Sequence, residues 1–497
     1  MRITSRFPAS RLKRLKRARE RFRPGDLNWC SSAKLCLMAS SRLWLLLLVP
    51  ALLGAVLAIL FLHLYSPLEP QLWTDPFPLG NLPVVNRRLT NATKASLGIL
   101  QGPESLAASS SGAVFASLAD GRIVLLDQKG MLRHVIYFNG SIHTPSGFIY
   151  EDKSVYEGAK LNLQWCIDRS RANELAYDVA NERACGRPLG LRYLHSGSKG
   201  RLYFADAYTG IYRIDLSSAD EPLKITHLVS TSTPIHHQQQ QVDEHSLLTP
   251  KFFNDLDITE DEHDIYFTDT SYKNHRSQNR QEVLDGAPRG RLFHFNVQKK
   301  SLEVLLCGLH FPNGVQLRPG SKSKELLVVE SARFRILRVK LDKLKGSELL
   351  TSCAEEGSLR QHLKSSDPKA VELFMDEAPG FMDNIRLHVD NKQVTYLVGV
   401  GAKSSKPFSL LHLAYRSITL RQVIGRLIPM KNIENLIPKY GLVLVVDDQG
   451  RLVDSYQDPT GGVSMVSEAM VHPSSGDLWL GSHSNPFIGI AAKANLK

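Results

Sequence analysis

The sequence predicts an all-β chain, a six-bladed β-propeller preceded by a single N-terminal transmembrane helix. Three observations predict it. Short β-branched and aromatic runs bounded by Gly, Asp or Asn recur from about residue 84 onward, six of them open on a comparable step, and one uncharged apolar stretch precedes them all.

Residues 1–42 are a basic tail. Of the formal charge of +12, this tail holds +10, twelve Lys and Arg against Glu20 and Asp26. The folded remainder is therefore nearly neutral, which removes the case for a nucleic-acid-binding surface and predicts no nucleic-acid partner. Residues 43–64, "LWLLLLVPALLGAVLAILFLHL", carry no charge and reach across a hydrocarbon core of about 30 Å at a rise of about 1.5 Å per residue. They read as a signal anchor. The basic leader is too long and the apolar stretch too extended for a cleaved signal peptide. With the positive tail held in the cytoplasm, a single-pass type II protein results, its later residues luminal or extracellular in the endoplasmic reticulum, secretory pathway or plasma membrane.

Two features agree with that side of the membrane. Asn91 in "NAT" and Asn139 in "NGS" are glycosylation sequons. Cys166, Cys185, Cys307 and Cys353 lie beyond the span, where disulfides persist. Cys166 with Cys185 is the preferred pair because a bridge would close the polar segment between them; the pairing of Cys307 and Cys353 stays open. No Cys/His spacing suggests zinc.

After a Pro-rich linker, residues 65–83, the propeller occupies 84–497. "GRIVLLD", "GRLYFADAYTGIYRIDL", "GRLFHFN", "ELLVVESARFRILRVKL", "VTYLVGV", "GLVLVVDDQGRLV" and "GDLWLGSH" are its strands, with little helical periodicity between them. Six blade openings line up at Glu104, Leu189, Asn254, Asn313, Asp383 and Glu468, spaced 59 to 85 residues apart. Such positions face one end of a propeller axis. Singly, "PNG" and "ND" are also turn dipeptides. Together, Glu104, Asn254, Asn313, Asp383 and Asn384 supply two carboxylates and three amides, the oxygen set suited to Ca²⁺, which takes about 6–8 oxygens in forgiving geometry.

"GPES", "CGRPLGLRY", "FFNDLDIT", "GLHFPNGVQL", "PGFMDNIRL" and "SEAMVHPSSGDLWLGSHSNPF" occur in this order and resemble the strictosidine synthase-like family in its animal branch. The resemblance runs from about Leu82 to Ile490 and implies a six-bladed propeller with arylesterase-like hydrolase activity. More distantly, the openings are similar to those of the calcium-dependent paraoxonase lactonases. That similarity implies a catalytic calcium held by the same five residues, and a small ester or lactone as substrate. It departs at Leu189, where that group has a histidine of its proton-transfer pair. Glu468 sits where the plant synthase has its catalytic glutamate, which implies general acid/base work; a channel carboxylate bonded to the next blade is the alternative. The synthase reaction itself is not implied for an anchored chain with animal-type motifs.

No GxSxG, P-loop or HExxH is present, so serine-nucleophile and zinc-protease chemistry is not expected. "HHQQQQVDEH" at 236–245 reads as a loop. His472 and His483 lie near the sixth opening and its following strand; either is a candidate proton shuttle, with a surface or loop histidine the favoured reading. Two functions follow: a membrane-anchored, calcium-dependent hydrolase, or a non-enzymatic propeller whose calcium is structural and whose loop face binds a protein or glycan partner.

Overall fold

A computed structural model describes residues 47–61, 66–72, 79–137, 141–144, 147–151, 163–196, 199–217, 222–235, 249–320, 325–344 and 370–496. The chain divides into two units, Met1–Tyr65 and Ser66–Lys497. In the first, residues 47–61 are helical. At about 1.5 Å per residue this described part extends about 22 Å, and among the described residues no helix is long and apolar enough to cross a membrane. The tail, the flanks of the apolar run, Asn139, Cys353 and the 236–245 segment lie outside the described residues.

The second unit is the expected six-bladed propeller. Among the described residues its strands form five four-stranded sheets and one of six strands. The inner strands are Leu106–Ala108, Pro188–Ser196, Phe253–Ile258, Pro312–Leu317, Gly380–Asp390 and Val466–Val471, one for each opening read from the sequence. Each blade continues outward by antiparallel hairpins. The sixth closes the ring: Thr93–Ala95 pairs with its last strand, Thr93 opposite Ile490. Chain ends thus share one sheet, which ties the two ends of the propeller sequence together and leaves no gap between first and last blades.

Apolar faces meet between blades. Phe115 and Ile123 of the first blade pack with Leu191, Leu202 and Phe204 of the second. Tyr266 and Leu292 of the third pack with Val315, Leu326 and Val328 of the fourth. Trp479 of the sixth is buried against Val114 and Val124 of the first. Burying such side chains stabilises by about 1.5–3 kcal/mol each, so the interfaces hold the ring.

The expectation of little helix between strands is corrected by five short helices and one 3-10 turn that matter for the site. Leu163–Arg171 and Val179–Cys185 lie between the first two blades and are joined by the expected disulfide, Cys166–Cys185, with Cα atoms 5.8 Å apart. Asn279–Asp285 belongs to the third blade. Leu410–Tyr415, Ile418–Leu427 and the 3-10 turn Met430–Leu436 form a cap inserted in the fifth. The cap starts are encoded locally: Ser409 and Ser417 side chains accept from the backbone N–H groups of His412 and Leu420 at 3.3 and 3.1 Å.

Candidate metal centre and pocket

Every inner strand from the second blade to the sixth breaks register at its start. The shifts fall between Pro188 and Leu191, Phe253 and Leu256, Pro312 and Val315, Met382 and Ile385, and Val466 and Glu468. A bulge re-aims side chains, and here it produces two stacked rings around the axis. The upper ring is Glu104, Leu189, Asn254, Asn313, Asp383 and Ser467. Beneath it lie Ser105, Gly190, Asp255, Gly314, Asn384 and Glu468.

The upper ring gathers four of the five expected metal ligands, and Asn384 follows Asp383 directly. All five are buried. Asn313 Oδ1, Asp383 Oδ1 and Asn384 Oδ1 have no hydrogen-bond partner. Three orphaned oxygens on adjacent inner strands are costly unless something positive meets them. Burial pushes the Asp383 carboxyl well above the usual carboxylate range, and the facing charge of Glu104 adds to it. Arg187, fully buried, pairs with Glu104 Oε2, and Asn254 Nδ2 donates to Thr270 at 2.9 Å. Among the described residues no three His, Cys, Asp or Glu side chains form a cation cage. Two carboxylates with amide oxygens fit a hard calcium ion rather than zinc.

The second ring has a different character, and it corrects the placement of Glu468. That residue aligns with Asn384, one step deeper than Asp383; Ser467 holds the upper position and donates to the Glu104 carbonyl at 2.6 Å. Glu468 is fully buried and is not among the residues lining the cavity above. Its Oε1 accepts from Arg386 Nε, and its Oε2 from Arg386 Nη2 and Ser105, each at 2.6 Å. Arg386 also donates to Asp255 at 2.9 Å. Arg192 adds bonds to Asp255 at 3.3 Å and Asp257 at 3.1 Å, and Gln316 Nε2 reaches Asp257 at 2.8 Å. Side chains of all six blades join this network. Burial disfavours the Asp255 charge, but Arg192 and Arg386 outweigh it and hold its pKa below the usual value.

Above the upper ring opens a cavity of about 460 Å³. Glu104, Asn254, Asn313, Asp383 and His483 line its polar floor. Phe252, Phe311 and Phe381 form an aromatic wall, with edge-to-face contacts of 6.0 and 5.1 Å between ring centroids. The cap adds Phe408, Leu411, Ile424 and Leu436. Arg421 anchors the cap by donating to the carbonyls of Leu284 and Asp285 at 3.0 and 2.8 Å, and Glu434 pairs with Arg280. His483 belongs to this cavity, while His472 does not line it: it is buried after the other end of the sixth inner strand, bonded to the Gly112 carbonyl at 2.7 Å and stacked on Trp479. Burial, with Arg276, Arg280 and Arg187 nearby, lowers the His483 pKa to about 3, so its imidazole is neutral at physiological pH.

Sequence reasoning missed the cap, the Arg386 network and Arg187. The cap had a signal in "SLLHLAYRSITLRQVIGRL", where two serines precede helically spaced apolar residues. Asn91 is exposed, as an acceptor sequon requires.

Residues 84–126 match the family described as strictosidine synthase-like, N-terminal, and residues 254–343 match strictosidine synthase. Adipocyte plasma membrane-associated protein from Bos taurus is 32% identical over 443 residues, covering 88% of this chain and 86% of that protein. The Homo sapiens protein of the same name is also 32% identical, with 88% and 85% covered. Protein STRICTOSIDINE SYNTHASE-LIKE 10 from Arabidopsis thaliana is 30% identical over 450 residues, with 88% and 96% covered.

Proposed function

The chain belongs to the strictosidine synthase-like family, and from that premise we propose that it is a membrane-anchored, calcium-dependent hydrolase of small esters or lactones, with arylesterase-like action in the axial pocket. The single observation that carries this reading is the set of orphaned oxygens of Asn313, Asp383 and Asn384 beside a large apolar cavity. Glu104, Asn254, Asn313, Asp383 and Asn384 would hold the ion. Bound there, calcium supplies a Lewis acid for an ester carbonyl.

The chain's own residues do the rest. Phe252, Phe311 and Phe381 receive the apolar part of the substrate, and the cap shields it from bulk water. Neutral His483 offers the floor a ring nitrogen that can hydrogen-bond water. Glu468 acts as a positioning residue: with Arg386 it fixes the strands beneath Asp383 and Asn384. The ionic network ties the blades together below the ligand ring. This favours a working ion over the alternative of a structural calcium in a binding propeller.

Anchoring is proposed through residues 43–64, with a type II orientation. The apolar run, the basic tail and the plasma-membrane association in the names of two relatives support it. The test of the activity is aryl ester hydrolysis by the purified full chain and its Asp383→Ala variant; equal rates from equally folded proteins would remove the site from the reaction.

A further inference from the structure

A second cavity, of about 160 Å³, lies beside the first, between the disulfide-linked helices and the cap. Arg276, Arg280, Glu434 and His483 line both, so the two spaces share a boundary. Where the first is aromatic, this one is polar: Gln101, Ser170, Asn173 and Ser484 face it. Arg276, only 5% exposed, spends Nη1 on Glu182 Oε1 at 2.7 Å. Among the described residues its Nε and Nη2 meet no acceptor, and neither is sealed from solvent. Those two nitrogens form the edge of a guanidinium that grips a carboxylate by two parallel bonds. Arg386 holds Glu468 by the same edge; on Arg276 that edge has no protein partner.

We propose that this second cavity is an anion subsite, and that the substrate is an ester carrying a carboxylate a few bonds from its apolar body. The apolar body lies against the aromatic wall, while the carboxylate reaches across the boundary onto Arg276 Nε and Nη2, with Arg280 beside it. The two acids of the second lining are already engaged, Glu182 by Arg276 and Tyr208, and Glu434 by Arg280. Across both linings, with Arg187 behind Glu104, Arg187, Arg276, Arg280 and Lys403 stand against Glu104, Glu182, Asp383 and Glu434, four to four. The calcium of the proposed function adds two positive charges that neither lining offsets, and a bound carboxylate reduces them. Burial, then Arg276, Arg280 and Arg187, lower the pKa of His483 at the boundary, the direction that a positive potential imposes. The substrate class rests on the hydrolase reading, whereas capture of a carboxylate by Arg276 does not.

The test compares phenylpropionate with its neutral isostere phenylpropionamide by calorimetric titration of the full chain in calcium. The acid is expected to bind at least about tenfold more tightly than the amide, on the scale of one charge-assisted hydrogen bond. Arg276→Met is expected to remove that preference, and Arg276→Lys, which keeps a cation opposite Glu182 without the paired donors, to retain only part of it. Ala176→Phe, placed to fill the second cavity while leaving every arginine, is expected to remove it as well and carries the test if Arg276→Met does not fold. Equal affinity for acid and amide in the wild type overturns the subsite. So does a preference unchanged in folded Arg276→Met or Ala176→Phe, which would seat the carboxylate on the calcium ring. Binding is read without turnover, so a chain that shows the preference yet hydrolyses no ester keeps the subsite and loses only the hydrolase reading.

Discussion

Arg386 grips Glu468 with two arms, Nε to Oε1 and Nη2 to Oε2, both at 2.6 Å, in the buried network under the ligand ring. Burial works against the Arg386 charge, but Asp255 and Glu468 outweigh it and raise its pKa. Removing one partner of a buried pair leaves an uncompensated charge and costs about 3–5 kcal/mol. Arg386→Met is therefore expected to lower unfolding stability by that order in a denaturant titration. Glu468→Gln should be milder, and the hydrolysis rate per folded molecule should keep its pH profile. Loss of one limb of that profile in a stably folded Glu468→Gln protein would make Glu468 a proton-transferring group instead.

The second ring depends on absent side chains as well. A Cβ on Gly314 would lie 2.6 Å from the backbone nitrogen of Ile385, 2.8 Å from the Asp383 carbonyl oxygen and 2.9 Å from Asn384 Cα. Backbone atoms cannot swing aside, so the fourth and fifth blades must separate. Gly314→Ala is expected to cost about 1–3 kcal/mol and to weaken calcium binding by roughly tenfold or more, since about 1.4 kcal/mol lost at the site is a factor of ten. Calorimetric titration with calcium checks this; unchanged affinity would mean that the Asp383–Asn384 bulge is not held in place by the neighbouring blade.

Glu282 gives the pocket wall a pH dependence. Burial raises its pKa from 4.5 to about 7, with Arg289, Ser271 and Asn274 opposing the shift. A folded pKa above the unfolded one means that the folded state binds the proton more tightly. Stability therefore falls as pH rises from about 4.5 to about 7 and changes little from this group above that. Relative to wild type, Glu282→Gln is expected to gain about 2 kcal/mol between pH 5 and pH 8. Urea unfolding at the two values reads it directly, and a constant difference would show that Glu282 does not change protonation over this range.

Phe381 stands between Phe311 and Phe334, with centroid separations of 5.1 and 6.4 Å, and lines the cavity. Its truncation should remove substrate binding more than chemistry. Phe381→Ala is expected to raise KM for aryl esters by roughly tenfold, the scale of a lost apolar contact, with a smaller change in kcat. A fall in kcat at constant KM would place the ring against the reacting bond.

The blades were legible because turn residues and β-branched runs repeat, and because "PNGV", "MDNI" and "FNDL" bring oxygen-bearing side chains to three of the six openings. By sequence step alone, Glu468 aligns with Asp383. The structure offsets it by one residue, because a bulge changes which side chain faces the axis, and no composition or period records a bulge. Arg386 was hidden for another reason: its partners Asp255 and Glu468 are 131 and 82 residues away. Burial of a long charged side chain depends on such distant partners. The cap helices are short and lie among strands, so their two serine caps stood out little against the stronger period of the sheets.

Chelation of the full chain tests the central claim most directly: phenyl acetate hydrolysis measured in calcium, in EGTA and after calcium is restored, with Asn313→Ala carried in parallel. The ligand ring and its orphaned oxygens predict a loss of at least about tenfold in EGTA, the effect of roughly 1.4 kcal/mol in transition-state stabilisation, full recovery with calcium, and little recovery in the variant. Hydrolysis that continues unchanged in EGTA and in folded Asn313→Ala would contradict it.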